Sequence, residues 1–318
     1  AAERGQLLHG SCEELGHDVP WAPLLRGVAD LVERLLRGSE ASIDAWRRAI
    51  EDHVGSSARV LADVVPELEL LTGPLPAVAE LTPAEAEVRF TGALRRLLQV
   101  LAGPDHPLVL FLDDVQWADG ALLRLVGDVA TDGATRHLLL VLAWRDADLP
   151  AAHPVVGLLE RIGSAHRIRL AGLEPAHLVD WLAEGLRCPP EQAAPLAALV
   201  HAKTGGNPFF VEQLLRRLQA DDLITSEGSG WRVDLRAVEQ SDLSDHVAEL
   251  LQQDLDRLPP GTQQALALAA CLGARFALDQ LADALQISRS AACDALESAV
   301  AGGLLIALDE AWRYRDPA

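Results

Sequence analysis

Two runs of the chain are apolar at every position, and charged side chains follow each of them. LVLFL occupies 108–112 and LLLVLAW occupies 138–144, with a helix-length segment between them. Strands buried on both faces of a parallel sheet show such continuous runs, because helices cover both faces. We therefore predict an α/β unit, to which QLLH at 6–9 and RIRL at 167–170 add two short strands.

Helical spacing dominates the rest of the first half of the chain. Helical patterns extend from about Leu24 to Ala62. The clearest helix begins after Thr82, because Thr82 and Glu85 form a capping box around Pro83 at the first helical position.

From about Gly172 the pattern is helical only, with one helix after Pro190 and another that begins near Pro208. A turn is predicted at EGSGW. The region after about Ser241 contains short helices and then two brief strands, GLLIAL and WRYR. Helices followed by two short strands suggest a winged-helix unit.

Composition restricts the class of protein and its partners. The chain has 27 Lys and Arg against 47 Asp and Glu, a formal net charge of −20, and such a surface repels nucleic acid phosphates. No apolar run is long enough to cross a bilayer, and no signal peptide opens the chain. The four cysteines stand apart in sequence, which indicates buried free thiols. We therefore expect a cytoplasmic protein.

Two adjacent carboxylates, Asp113 and Asp114, follow the first apolar run directly. Ligands of open α/β sheets bind beyond the carboxyl ends of the strands, where these side chains would lie. One acid can hold Mg²⁺ together with water, while the second orients or deprotonates an attacking water. The alternative is that both acids only cap the following helix. Asp119, in the same motif, is interpreted as a helix cap.

Arg145 ends the second apolar run. Polar residues that end neighbouring parallel strands lie within reach of one ligand, and a guanidinium there can bind a γ-phosphate in a bidentate manner. The alternative is a solvated charge or a simple ion-pair partner of an acid.

The segment HAKTGGNPFFVEQLL contains a turn and a helix start. Gly205 and Gly206 allow unusual backbone angles, Asn207 can cap, and Pro208 starts a helix, so a structural turn explains these residues without a ligand. Lys203 and the following Thr are similar to the end of a Walker A loop, but the required glycines are missing. The segment is therefore not a P-loop.

In this order and spacing, FLDDVQWAD, LAWRDAD and TGGNPFFVEQLL resemble the STAND-type AAA+ ATPase module of large ATP-binding LuxR regulators, the MalT-like group. The likeness includes HGSCEELGHDVPWAPL near the start and LDRLPPGTQQALALAACLGARF near the end. It implies an α/β fold with a P-loop NTPase-type parallel sheet at 1–172, truncated at its N-terminus. A helical lid at 173–235 and a winged-helix domain at 236–318 would follow.

The resemblance also implies roles by position, with ATP or ADP and Mg²⁺ as cofactors. Asp113 would hold Mg²⁺, Asp114 would activate water, and Arg145 would sense the γ-phosphate. The motif that closes over the adenine would consist of three consecutive residues, Gly206, Asn207 and Pro208.

The sequence departs from that family in two places. Members carry a Walker A loop before the strand that corresponds to QLLH, and the 318 residues contain neither this loop nor any Met. We therefore interpret the chain as an internal fragment that binds ATP weakly by itself. Asp316 occupies the place of a histidine that usually contacts the diphosphate, and an acid there would repel it.

We accordingly predict an ATP-binding regulatory switch module of a LuxR-type transcriptional regulator, with slow hydrolysis in the full-length protein. One alternative is a non-catalytic interaction scaffold with a degenerate ATPase fold. Another is the ATPase module of a multidomain signalling protein, such as an adenylyl cyclase or a kinase. The expected partners are nucleotide and, in the full-length form, a second copy or a partner protein. Because residues 240–318 hold 12 acidic residues against five Arg, we expect no DNA contact there.

Overall fold

The computed structural model describes residues 5–13, 20–77, 82–227, 230–240, 252, 255–273, 275–307 and 311–314. They belong to two compact units, Ala1–Arg167 and Ile168–Ala318, and each unit is described by itself. Among the described helices, none combines the length and the apolar character needed to cross a bilayer.

A parallel sheet of three strands organises the first unit, as the apolar runs predict. Its strands are β1 (Gln6–Ser11), β2 (Leu108–Asp113) and β3 (Leu138–Leu142). β2 lies in the middle and pairs with both neighbours, in a register that aligns Leu8, Leu110 and Leu140. The segments that follow β2 and β3 therefore leave the sheet side by side at its carboxyl edge.

Seven helices accompany this sheet in the described part of the unit. They are α1 (Ala22–Leu36), α2 (Glu40–His53), α3 (Ala58–Ala62), α4 (Glu67–Thr72), α5 (Pro83–Leu101), α6 (Gly120–Thr131) and α7 (Pro154–Ile162). The predicted capping box begins α5. There the Glu85 N–H donates to Thr82 Oγ1 (3.4 Å), and the Thr82 N–H donates to Glu85 Oε2 (3.0 Å).

Only one face of the sheet is well buried. Leu8, Leu110 and Leu112 lie in the core with the helices, whereas Leu7 and Leu139, on the opposite face, are exposed. The prediction that these strands are buried on both faces is therefore wrong for this structure. A continuous apolar run shows that a strand is apolar on both faces. The described helices cover only one face of this sheet.

The segment Arg167–Leu170 is not a strand, so the prediction of a strand at RIRL is also wrong. Ile168 and Leu170 are almost fully exposed. A strand needs the backbone of a neighbour to form its ladder, and within the described residues no strand pairs with this segment. The local sequence of RIRL was therefore not sufficient to predict a strand.

The second unit begins with three helices and a hairpin. Its first elements are α8 (Pro175–Leu186), α9 (Pro190–Thr204), α10 (Pro208–Ala220), β4 (Ile224–Glu227), β5 (Gly230–Val233) and α11 (Leu235–Gln240). The helix starts at Pro190 and Pro208 are as predicted. The antiparallel pair β4 and β5 was missed, since only its turn was predicted, and the tip at 228–229 lies outside the described residues.

A separate hydrophobic cluster holds the rest of the unit together. The elements are α12 (Pro260–Leu272), β6 (Arg275–Ala277), α13 (Leu278–Leu285), α14 (Arg289–Ala301), β7 (Leu305–Ala307) and β8 (Ala311–Tyr314). The two brief strands predicted in GLLIAL and WRYR are present and antiparallel, and β6 adds a third strand next to β8. Asp316 lies outside the described residues.

Polar side chains join α10 to this last part of the unit. Arg216 Nη1 donates to the Ala301 carbonyl (3.1 Å), and Arg257 Nη1 and Arg217 Nε contact the two oxygens of Asp221 at 3.1 and 2.7 Å. Burial raises the pKa of Asp221, but the hydrogen bonds from Arg217 and Arg257 outweigh this effect and lower it. The contact between α10 and the last part of the unit therefore depends on charged side chains.

Candidate functional site

The two strand ends bring the predicted site residues of the first unit together. Asp113 ends β2, Asp114 follows it, and Arg145 lies three residues after the end of β3. Arg145 Nε is 3.4 Å from Asp114 Oδ1, with 45% and 19% of the respective side chains exposed. The geometry thus places a carboxylate and a guanidinium side by side at the carboxyl edge of the sheet. The roles of these two groups stay predictions.

Asp113 is held by the backbone on both sides. Its carbonyl accepts a hydrogen bond from the Cys12 N–H (3.0 Å), and its carboxylate Oδ1 accepts one from the Asp114 N–H (3.0 Å). The carboxylate is thereby oriented at the tip of the central strand. A half-buried carboxylate in this place can offer oxygens to a hard cation.

Neither acid caps the helix that follows. Asp119 is the N-cap of α6, because its Oδ1 accepts from the Leu122 N–H at 2.8 Å, as predicted for this residue. Its Oδ2 accepts from the Trp21 N–H at 3.0 Å. The alternative reading, in which Asp113 and Asp114 are only helix caps, has no support in these contacts.

Asp114 has a left-handed backbone, with φ 51° and ψ 41°. This conformation costs an ordinary residue about 1 kcal/mol, and Asp tolerates it better than most residues. The Val115 N–H donates to the Ala143 carbonyl (3.0 Å) and so fixes the turn to the segment after β3. The turn that contains this strained residue is therefore held by a hydrogen bond to the segment after β3, and strained residues of this kind are common at functional sites.

Gln116 is the buried polar residue of this site, with only 5% of its surface exposed. Its amide nitrogen donates to Asp114 Oδ1 at 2.7 Å, and its amide oxygen accepts from the Arg145 N–H at 3.3 Å. Its backbone carbonyl contacts His153 Nε2 at 3.0 Å, while His153 Nδ1 accepts from the Val155 N–H. Sequence reasoning assigned no role to Gln116 or His153, and their distant partners left no local signal.

Cys12 is a buried thiol close to the acidic side chains of this site. Burial, followed by the negative charges of Asp119 and Asp114, raises the pKa of its thiol to about 12. The thiol is therefore protonated at neutral pH and behaves as a small apolar side chain. Cys12 fits the expectation of a buried free thiol, whereas Cys271 and Cys293 are exposed and do not.

The predicted residues of the second unit form a compact turn. Asn207 Oδ1 accepts from the N–H groups of Phe209 (3.0 Å) and Phe210 (3.4 Å), and Pro208 is the first residue of α10. Gly206 has φ 76°, and its carbonyl accepts from the Leu173 N–H at 2.7 Å. These contacts are those of the structural turn, and the proposed closure over adenine stays a prediction.

A magnesium ion would have to be held by few protein groups. Within the described ranges, no cluster of three or more His, Cys, Asp or Glu side chains is arranged to bind a metal. Mg²⁺ commonly keeps several waters and takes one or two carboxylates. The Asp113 carboxylate fits that mode of binding, and it does not fit a metal enclosed by protein ligands.

Comparison with known families supports the general class of the first unit. Residues 1–141 match the AAA ATPase domain family. The matched range contains Asp113 and Asp114 and ends before Arg145. An AAA+ type NTPase module is therefore supported for this part of the chain, and the likeness to LuxR regulators stays a prediction.

Two curated relatives are histidine kinases. The chain is 24% identical over 334 residues to hybrid signal transduction histidine kinase G of Dictyostelium discoideum, covering 85% of this chain and 10% of that protein. It is 26% identical over 121 residues to histidine protein kinase 1 of Candida albicans, covering 33% of this chain and 5% of that protein. The chain therefore spans a tenth or less of the length of these relatives.

Solved structures of Thermotoga maritima RuvB mutants are also similar to this chain. One is 15% identical, with a TM-score of 0.33 over 71% of this chain and 72% of that chain. Another is 14% identical, with a TM-score of 0.32 over 83% and 82%. Similarity at these TM-scores is too low to support an inference.

Proposed function

We propose that this chain is the nucleotide-binding module of an ATP-dependent regulatory switch. The observation that carries the proposal is the pairing of Asp114 with Arg145 at the ends of neighbouring strands, beside Asp113. An acid pair and a guanidinium at the carboxyl edge of a parallel sheet match the groups needed around a metal-bound triphosphate. The match of residues 1–141 to AAA ATPase domains supports the same reading.

Each residue has a distinct chemical role in this proposal. Asp113 would hold Mg²⁺, and the ion would supply positive charge next to the phosphates when bound. Asp114 accepts a proton from the attacking water, and Arg145 binds the γ-phosphate. Arg145 must leave Asp114 to do so, and 45% of its side chain is exposed, so solvent screens the ion pair and limits its contribution to about 1 kcal/mol.

The second unit would convert the nucleotide state into a signal. In this proposal the turn at Gly206, Asn207 and Pro208 closes over the adenine, and the helices that follow act as a lid. The last part of the chain acts as a winged-helix domain, and its helices with three short strands agree with that assignment. Its charged joint to α10 suits a contact that forms and breaks.

The proposed output of the switch is based on the curated relatives and on the resemblance to LuxR regulators. The resemblance points to a cytoplasmic transcriptional regulator of the LuxR type. The names of the two curated relatives favour the alternative, a module of a multidomain signalling kinase, although the chain covers 10% and 5% of their lengths. In both cases nucleotide is the ligand, and a second copy or a partner protein is the expected contact.

The test is nucleotide binding and hydrolysis by the complete gene product. We expect Mg²⁺-dependent ATP binding and slow hydrolysis, and Asp114→Asn should lower hydrolysis by about 100-fold or more while ATP still binds. Asp128→Asn is the matched control, because it removes a carboxylate from an exposed ion pair on α6. Absence of ATP binding would favour the non-catalytic scaffold, and unchanged hydrolysis in Asp114→Asn would remove that residue from its role.

A further inference from the structure

Gln116 connects the two strand ends that carry the candidate reactive groups. Its amide is buried and has one partner on each side, Asp114 Oδ1 at 2.7 Å and the Arg145 N–H at 3.3 Å. A carboxylate can only accept and a backbone N–H can only donate, so the orientation of this amide is determined by its partners. Gln116 therefore bridges the segments after β2 and β3 in one defined orientation.

The bridge leaves the two oxygens of Asp114 in different surroundings. Among the described residues, the side-chain contacts of Asp114 with Gln116 and Arg145 both go to Oδ1. Asp114 keeps 19% of its side chain exposed, and neither of these two contacts uses Oδ2. The amide thus occupies Oδ1, and its hydrogen bond leaves Oδ2 unused.

The position of Gln116 is itself determined by the fold. Its carbonyl is bonded to His153, the N-cap of α7, and its neighbour Val115 is bonded to Ala143. The amide cannot follow Asp114 if that side chain rotates, because both its backbone and its oxygen are held. A buried amide that lost its partners would also cost about 1 to 3 kcal/mol, which opposes rotation of Asp114.

We propose that Gln116 is a positioning residue that holds Asp114 Oδ1, so that Oδ2 is presented to the attacking water. The inference rests on the proposed ATP hydrolysis and names a residue to which that function assigns no role. Gln116 does not contact nucleotide in this proposal. Its effect should therefore fall on the rate of hydrolysis and not on the affinity for ATP.

The first test uses Gln116→Leu in the complete gene product. We expect kcat about 10-fold to 100-fold lower, because a displacement of about 1 Å can have this effect, with a Kd for ATP within about threefold of wild type. Gln99→Leu is the matched control. It removes a part-buried amide that donates to Asp132 Oδ2 at 3.1 Å, away from the site, and should leave kcat unchanged.

Gln116→Glu is a second variant, in case Gln116→Leu does not fold. The introduced carboxylate keeps an acceptor for the Arg145 N–H but repels Asp114. Protonation of the new group restores a donor, so the rate relative to wild type should rise as the pH is lowered. If Gln116 had only a structural role, the recovery would be matched by a gain in stability, so thermal unfolding is measured over the same pH range.

The outcomes separate this inference from the proposed function. An active wild type with unchanged kcat in Gln116→Leu, or with a flat relative pH profile in Gln116→Glu, overturns the role of Gln116 and leaves the function intact. A wild type that neither binds nor hydrolyses ATP overturns the function, and the positioning role with it. A lower kcat with unchanged Kd, together with the acid-side recovery, supports the inference.

Discussion

The acid site at the sheet edge and the glycine turn before α10 contain the predicted functional residues, and they are built in opposite ways. At the acid site, Asp114 and Arg145 come from neighbouring strands and meet at 3.4 Å with much of the guanidinium exposed. At the turn, Asn207 bonds to the helix that it begins, and Gly206 packs against Leu173.

The side chains of the two regions therefore contribute different things, stability at the turn and charge at the acid site. The turn is explained by its own backbone, so changes there should lower stability. The acid site presents the guanidinium of Arg145 largely to solvent, so a change of this side chain should alter nucleotide chemistry and leave stability almost unchanged. Four experiments follow in order of their expected effect on the free energy of unfolding, and the one at Asp221, outside both regions, serves as a reference.

Gly206→Ala should have the largest effect, about 3 kcal/mol, from strain at φ 76° and from overpacking. A Cβ at this position would lie 2.2 Å from the Leu173 carbonyl oxygen. Gly205→Ala is the matched control, because its φ is also positive but its Cβ would meet open space, and it should cost about 1 kcal/mol. Urea unfolding measures both, and equal losses would contradict the assigned packing.

Asn207→Ala should lower stability by about 1 kcal/mol through loss of the α10 cap. Asn207→Ser should restore most of this loss, since Ser also caps well. Thermal unfolding gives the stabilities, and a parallel ATP titration sharpens the comparison. If Asn207→Ser regains stability but not affinity for ATP, the turn is more than a structural element.

Asp221, just beyond the other end of α10, should make stability depend on pH. Its pKa is lowered in the folded protein, so its contribution is present above the pKa of the unfolded carboxyl and is lost as the pH falls through the folded value. Because 35% of the side chain is exposed, the effect should be at most about 1 kcal/mol. Unfolding of wild type and Asp221→Asn across acid pH measures it, and a constant difference would contradict the assignment.

Arg145→Gln should have the smallest effect on stability, below about 0.5 kcal/mol, because 45% of the Arg145 side chain is exposed and solvent screens its ion pair with Asp114. The same change should weaken ATP hydrolysis strongly if Arg145 binds the γ-phosphate. Calorimetric unfolding and a hydrolysis assay on one sample compare the two effects. A loss of stability of about 2 kcal/mol without a change in hydrolysis would make Arg145 a structural residue.

Some parts of the fold could be predicted because their causes are local. Thr82 and Glu85 cap a helix within one turn, and Pro208 starts a helix through its fixed φ. The proximity of Asp114 to Arg145 also followed, since the ends of adjacent parallel strands meet. RIRL failed for the converse reason, because a strand exists only if another backbone pairs with it.

The sequence by itself determined the apolar runs, the helix starts and the acids that follow a strand, since each depends on residues a few positions apart. Only the tertiary structure decided that one sheet face stays exposed and that Gln116 lies between Asp114 and Arg145. Gln116 and Arg145 are 29 positions apart. Their contact arises from the pairing of β2 with β3, which brings distant backbone groups within hydrogen-bonding distance.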